Sequence, residues 1–301
     1  MVWTFIKTTL LIGILTGILF AVAYVLGLSP IMALGFAALM NLVIYWFSDR
    51  FVLKMGGAKR VTEEEAPRVY AALRRLTAAS GTNMPKVALV NNPIPNAFAT
   101  GRSPNNATVA VHTSLLSILN DEELEAVLGH ELTHVRNWDT LTTTLAATVA
   151  GAITYLVQFG MLFGGAYGYS GTGGRNRQGN IIGLLLMVVL APLAAMLVQL
   201  AVSRSREYAA DEGGAKLTGK PQALSSALNK IETYAKASRQ RPQSQKNQAM
   251  APLYIINPFR ASFVTELFST HPATHKRIAR LDKIAASMGM GPYYSQSYYT
   301  Q

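Results

Sequence analysis

The 301-residue chain contains no cysteine. Disulfide frameworks and thiolate zinc sites are therefore excluded, and any bound metal must be held by histidine or carboxylate. Charge is scarce as well. Only 14% of residues are Asp, Glu, Lys or Arg, against about a quarter in soluble domains. Half the residues are hydrophobic and mean hydropathy is +0.21, the composition of a membrane protein. The charge that is present leans one way, with 27 Lys and Arg against 16 Asp and Glu, a net +11. On a soluble chain such an excess would point to nucleic acid, but neither an RNA-binding signature nor a basic-aromatic stripe occurs here. Lys and Arg instead flank apolar runs, so the expected partner is a lipid bilayer and not nucleic acid. The Gly-rich stretch 169–175 lacks the Gly-Lys-Ser/Thr ending of a phosphate-binding loop and follows no strand, so it reads as a connector.

What is present begins with long apolar runs. Residues 8–28 carry no charge, and a second run, 31–47, follows after Ser29-Pro30. Each is long enough to cross a bilayer, and together they read as an uncleaved hairpin anchor in preference to a signal peptide. Runs at 141–165 and 181–202 make a second hairpin, in which Pro192 is acceptable because membrane helices tolerate proline. None of the four carries a charged residue, which argues against a transporter. If all four alternate, Lys7, the Arg50 to Arg60 group, Arg136, Arg204 and Arg206 share one side, which the positive-inside rule makes cytoplasmic. Arg175 and Arg177 fall opposite and leave open whether the second hairpin crosses fully. The resulting organisation is a membrane hairpin (1–50), a first catalytic part (51–140), a second hairpin (141–203), a second catalytic part (204–290) and a loose tail (291–301).

Between the hairpins the sequence reads as soluble. Thr62-Glu-Glu-Glu65 followed by Ala66 to Ala79 predicts a capped helix ending before Ser80-Gly81. Lys86 to Val90 and Thr108 to Val111 are short strand candidates. The intervening Asn91 to Gly101 is either a strand edge on which a peptide could dock or part of a plain hairpin.

The chemistry is concentrated in Leu128-Gly-His-Glu-Leu-Thr-His-Val135. On a helix, His130 and His134 project one turn apart from the same face, as two ligands of one tetrahedral Zn²⁺ must. Glu131 stands beside them as a general base. Asn120 with Glu123 forms a capping-box pattern, and Leu124, Leu128, Leu132 and Val135 give an apolar stripe. By composition alone such a motif arises in roughly one chain of this length in a hundred, so its weight depends on a third ligand. Glu207, with Asp211 four residues on, follows the fourth run just as His134 precedes the third. An antiparallel hairpin would bring them together, giving His130, His134 and Glu207 with an open fourth position. Asp211 is then placed to orient a ligand histidine. Charged neighbours Glu123, Glu125, Arg136 and Asp139 place the site at the cytosolic surface and not within the bilayer.

Taken together, Pro95-Asn-Ala-Phe-Ala-Thr-Gly101, His130-Glu-Leu-Thr-His134, Glu207-Tyr-Ala-Ala-Asp211 and Ser269-Thr-His-Pro-Ala-Thr-His-Lys-Arg-Ile278 resemble the HtpX family of membrane heat-shock zinc metalloproteases, related to CAAX prenyl endoproteases. The resemblance implies a mainly α membrane protein whose four transmembrane helices carry a cytosolic α+β zincin-like metalloprotease domain. It implies a zinc endopeptidase in the inner membrane, acting in stress response on peptide substrates from misfolded or damaged membrane proteins. It also implies that Asn96 and Ala97 bind substrate backbone and that His271 or Arg277 donates to the oxyanion, a helix-capping role being the alternative for His271. The rival function is a zinc-binding membrane chaperone or scaffold without proteolytic activity, against which Glu131 argues.

Overall fold

The computed structural model describes residues 2–25, 27–149, 204–238, 253–255 and 272–293. Two long helices open the chain, α1 (Val2–Val25) and α2 (Pro30–Met55). The Ser29 hydroxyl accepts from Met32 N, and Pro30 occupies the first helical position, where a missing N–H costs nothing. Among the described residues α2 is the one helix long and apolar enough to cross a membrane, and α1 contains a shorter apolar stretch, Thr8–Phe20. Ile31, Met32, Leu34, Leu39 and Leu42 are exposed along α2. Towards its end the helix changes character. Val52, Leu53 and Met55 are buried against the sheet, so the apolar helix passes directly into the folded domain.

The domain is built on a four-stranded sheet of order β1-β2-β4-β3, comprising β1 (Ala58–Arg60), β2 (Lys86–Val90), β3 (Ala97–Gly101) and β4 (Ala107–His112). The two strands expected from sequence form, but they lie parallel to each other and not as a hairpin. The hairpin partner of β4 is β3, paired antiparallel and left at the sheet edge. Both faces of the sheet are covered, which is why the strands are almost continuously apolar. Val87, Ala97, Ala99, Val109 and Val111 face one core with α3 (Pro67–Ser80), while Ala88, Val90, Phe98 and Ala110 face the end of α2. Helix α3 starts at Pro67, one residue after the expected Ala66, behind a turn in which Glu65 accepts from Thr62 N. It stops at Gly81, whose φ of 66° a residue with a Cβ adopts only at a cost.

After the short α4 (Thr113–Ile118), α5 (Asp121–Arg136) carries the histidine motif. Its capping box is formed in full. Asn120 Oδ1 accepts from Glu123 N, and Glu123 Oε2 accepts from Asn120 N. This helix does not run unbroken into the apolar run that follows it. It ends at Arg136, Trp138 takes a left-handed φ of 63°, and a new helix, α6, begins at residue 139 and is described to 149. The rest of the third and fourth expected spans, residues 239–252 and most of the tail lie outside the described residues. α7 (Arg204–Thr218) and α8 (Pro221–Ser238) pack on α5, and α9 (Thr274–Ser287) packs on α7 and α8.

Candidate metal centre and active site

Helix α5 is buried along most of its length, with Leu124, Leu128 and Leu132 at the centre of the main core. Its closest neighbour is α7, and glycine makes the approach possible. A Cβ on Gly214 would lie 2.7 Å from His130 N and 2.9 Å from its Cα. Close packing here sets Glu207, in the first turn of α7, opposite the motif. His134 Nε2 is 3.4 Å from Glu207 Oε1 and His130 Nε2 is 3.8 Å from Oε2. One ligand atom from each of the three residues falls within 4.8 Å of the others.

These separations suit a tetrahedral ion. With His N and carboxylate O about 2.0–2.2 Å from zinc, ligand atoms sit about 3.4 Å apart. The opposite ring nitrogens are engaged elsewhere. His130 Nδ1 donates to Asp211 Oδ1 at 3.0 Å, and His134 Nδ1 donates to Asp139 Oδ2 at 3.1 Å. Both Nε2 lone pairs are thereby left facing Glu207. The donor set fits a divalent metal with two imidazoles and one carboxylate.

Glu131 is 5% exposed, and its Oε2 accepts from Ala99 N on β3 at 3.0 Å. The bond follows from strand geometry. Asn96 O accepts from His112 N, so the groups of Ala97, Ala99 and Gly101 point away from β4, towards the open edge. Gly101 N on that edge donates to Thr144 of α6. Burial pushes the Glu131 carboxyl above the ordinary carboxylate range, against the pull of His130 and His134.

Asn96 and Arg277 are both engaged inside the protein. Asn96, expected to hold substrate backbone, is 1% exposed and already occupied. Its Nδ2 donates to Leu253 O at 3.1 Å, and its Oδ1 accepts from Ile255 N at 2.9 Å. Arg277, one of the two candidate oxyanion donors, is 1% exposed and directs its guanidinium to Asp211 and to Ile255 O. Burial would by itself raise the Asp211 carboxyl, but Arg277 holds it below the usual range. His271 lies outside the described residues. Ala97 is buried, with its main chain on the edge beside Glu131. Asp139 is a component that the motif reading passed over. The signal available was its position five residues after His134.

Residues 63–285 match Peptidase family M48. The chain belongs to that family. Its likeness to HtpX, read from the motifs, is borne out across nearly the whole sequence. A protease HtpX homolog of Pyrococcus abyssi is 51% identical over 289 residues, covering 95% of this chain and 97% of its own length. Those of Pyrococcus furiosus and Thermococcus sibiricus are 50% and 49% identical, with the same coverage of both chains. Among solved structures, Ste24p of S. mikatae aligns at a TM-score of 0.48 and 18% identity, over 90% of this chain and 62% of that one. This M48 chain is a metalloprotease, with His130, His134 and Glu207 forming a cluster that can hold its metal.

Proposed function

We propose that the chain is a zinc endopeptidase that cuts cytosolic segments of misfolded or damaged membrane proteins. The observation that carries the catalytic part is the approach of His130, His134 and Glu207 to within 4.8 Å, with Glu131 fixed beside them by Ala99 N. Zinc would be held by the two Nε2 atoms and the Glu207 carboxylate. When bound, it lowers the pKa of water towards about 7 and polarises the carbonyl to be attacked.

The chain's own residues supply the remainder. A substrate strand lies along the outer edge of β3, pairing with main-chain groups of Ala97 and with the Ala99 carbonyl, since the Ala99 N–H is held by Glu131. Glu131 takes a proton from the attacking water at its carboxylate as oxygen adds to the scissile carbonyl. It then delivers that proton to the departing amine as the C–N bond breaks. Its raised pKa suits both halves of this exchange, since a general base works best when its pKa lies near the working pH. Asp211, held by Arg277, orients His130. Through this contact Arg277 acts behind the metal, and the resemblance leaves His271 as the other candidate oxyanion donor.

Membrane placement rests on α2, whose apolar, exposed length continues into the buried turn at Val52 to Met55. With four spans and Lys and Arg gathered at one end, the protein sits in the inner membrane with its termini and active site in the cytoplasm. A role in quality control is supported by the likeness to HtpX proteases and by a candidate metal site in a domain tied to an apolar helix.

The test is Glu131→Gln in the full chain, assayed against an unfolded membrane protein. Zinc content should stay at the wild-type level while cleavage disappears. Cleavage at the wild-type rate would remove Glu131 as base, and a variant that keeps full quality-control activity without cleavage would favour the chaperone.

A further inference from the structure

His134 has a partner that a continuous helix could not supply. Five residues along an unbroken α5, Asp139 would lie about 140° round the axis from His134. The chain reverses instead. Asn137 leaves the helix with φ −85° and ψ 3°, and Trp138 follows at φ 63°. That left-handed conformation is costly for a bulky side chain, so the surroundings must hold it. The result is that Asp139, the first residue of α6, turns back on the motif. Its Oδ2 lies 3.1 Å from His134 Nδ1, and it is 3% exposed.

The second carboxylate oxygen also has a neighbour. Asp139 Oδ1 is 3.6 Å from Arg206 Nη1, which belongs to the residue just before the ligand Glu207. Asp139 therefore touches His134 on one side and the start of the Glu207 helix on the other. The arrangement matches that at His130, where Asp211 receives Nδ1–H and is itself held by Arg277. Each ligand histidine thus faces a buried carboxylate, and each carboxylate has an arginine beside it, bidentate and buried at Asp211, partly exposed and 3.6 Å away at Asp139.

We propose that Asp139 is a positioning residue for the metal centre: it fixes the tautomer and ring plane of His134, and the reversal at Trp138 delivers it. This rests on the zinc reading given above. The carboxylate acts through His134 and does not touch substrate. A purely structural role, that of an acid at the start of α6, would affect folding and leave metal affinity alone.

The two roles separate by experiment. Full-length protein in detergent is stripped of metal, and its zinc affinity is measured by chelator competition for wild type, Asp139→Asn and Asp139→Ala. Thermal unfolding of the metal-free forms is recorded in parallel. Removing a partner of a ligand histidine weakens metal binding by about 10- to 100-fold. Asp139→Ala should fall at the weak end of that range, and Asp139→Asn, whose amide oxygen still accepts from Nδ1–H, near about tenfold. At saturating zinc, kcat should drop with KM unchanged. If Asp139→Ala does not fold, the isosteric Asn variant decides the matter alone. Zinc affinity equal to wild type in the folded variants overturns the role of Asp139, whatever their melting points. Failure of the wild type to bind zinc overturns the metalloprotease mechanism and this inference with it.

Discussion

Arg277 grips Asp211 at both oxygens, with Nη2 2.6 Å from Oδ1 and Nε 2.8 Å from Oδ2. Both residues are almost fully buried, and the pair sits directly behind His130. Removing one member would leave the other charge in the interior without compensation, at a cost of about 3–5 kcal/mol. Arg277→Ala should therefore lower stability by about that amount, and Arg277→Lys should recover only part, since an ammonium cannot bridge both oxygens. Denaturant titration in detergent measures this. A loss of activity with unchanged stability would return Arg277 to the role of oxyanion donor.

The contact between α5 and α7 allows a second prediction. Gly214→Ala drives a methyl group into the backbone of His130, which cannot move without carrying a ligand with it. Overpacking of this kind costs about 1–3 kcal/mol. Stability and zinc affinity should fall together. Gly291→Ala, which meets nothing within 4 Å, is the neutral control. Normal zinc binding in Gly214→Ala would mean that the two helices are less closely apposed.

How much of this was legible in the sequence depended on whether a feature was local or delivered by the fold. The histidines and Glu131 could be read because helical spacing alone puts them together, and the capping box at Asn120 was explicit. Glu207 could be inferred because only two apolar runs separate it from the motif. Asp139 could not, because its approach depends on Trp138 adopting a conformation that nothing in its residue type favours. Charge was also misleading. Glu123, Glu125 and Asp139 looked like solvent-facing neighbours of the motif, yet all are buried. Lys230 and Ser226 hold Glu123, Arg75 and Lys220 hold Glu125, and His134 holds Asp139. Strands β2 and β4 were found and β1 was not, and the parallel pairing of β2 with β4 was missed, since short apolar strands specify burial better than they specify neighbours.

A third prediction concerns acid. His112 is buried, its Nδ1–H donates to Ile94 O at 2.6 Å, and its ring meets Tyr254 edge-on. Burial lowers its pKa from 6.5 to about 4, despite the opposing hydrogen bond. The unfolded chain takes up a proton near pH 6.5, the folded chain only near pH 4. Stability should thus be lost as pH falls between those values, by about 3 kcal/mol in full. In His112→Asn this contribution to the slope should vanish. Unfolding measured at pH 7, 5.5 and 4.5 compares the two proteins, and an identical slope in the variant would exclude His112 as the cause.

The lack of cysteine makes topology directly testable. Ser29→Cys in the turn between α1 and α2, and Lys276→Cys on α9, each introduce a single thiol at an exposed position. With cytoplasmic termini and active site, an impermeant maleimide should label Ser29→Cys from outside the inner membrane. It should reach Lys276→Cys only after permeabilisation. The opposite pattern would invert the protein.

Glu207 follows His134 by a long stretch of chain that includes both later apolar runs of the sequence, yet the two meet at 3.4 Å. During synthesis, the ribosome has delivered both histidines and the catalytic base well before the third ligand exists. A nascent or prematurely ended chain carries two-thirds of a metal site and no hydrolytic competence. Activity therefore waits for residue 207 to be made and to fold back on the histidines. For an enzyme that cuts other proteins, such late assembly protects the cell from its unfinished copies.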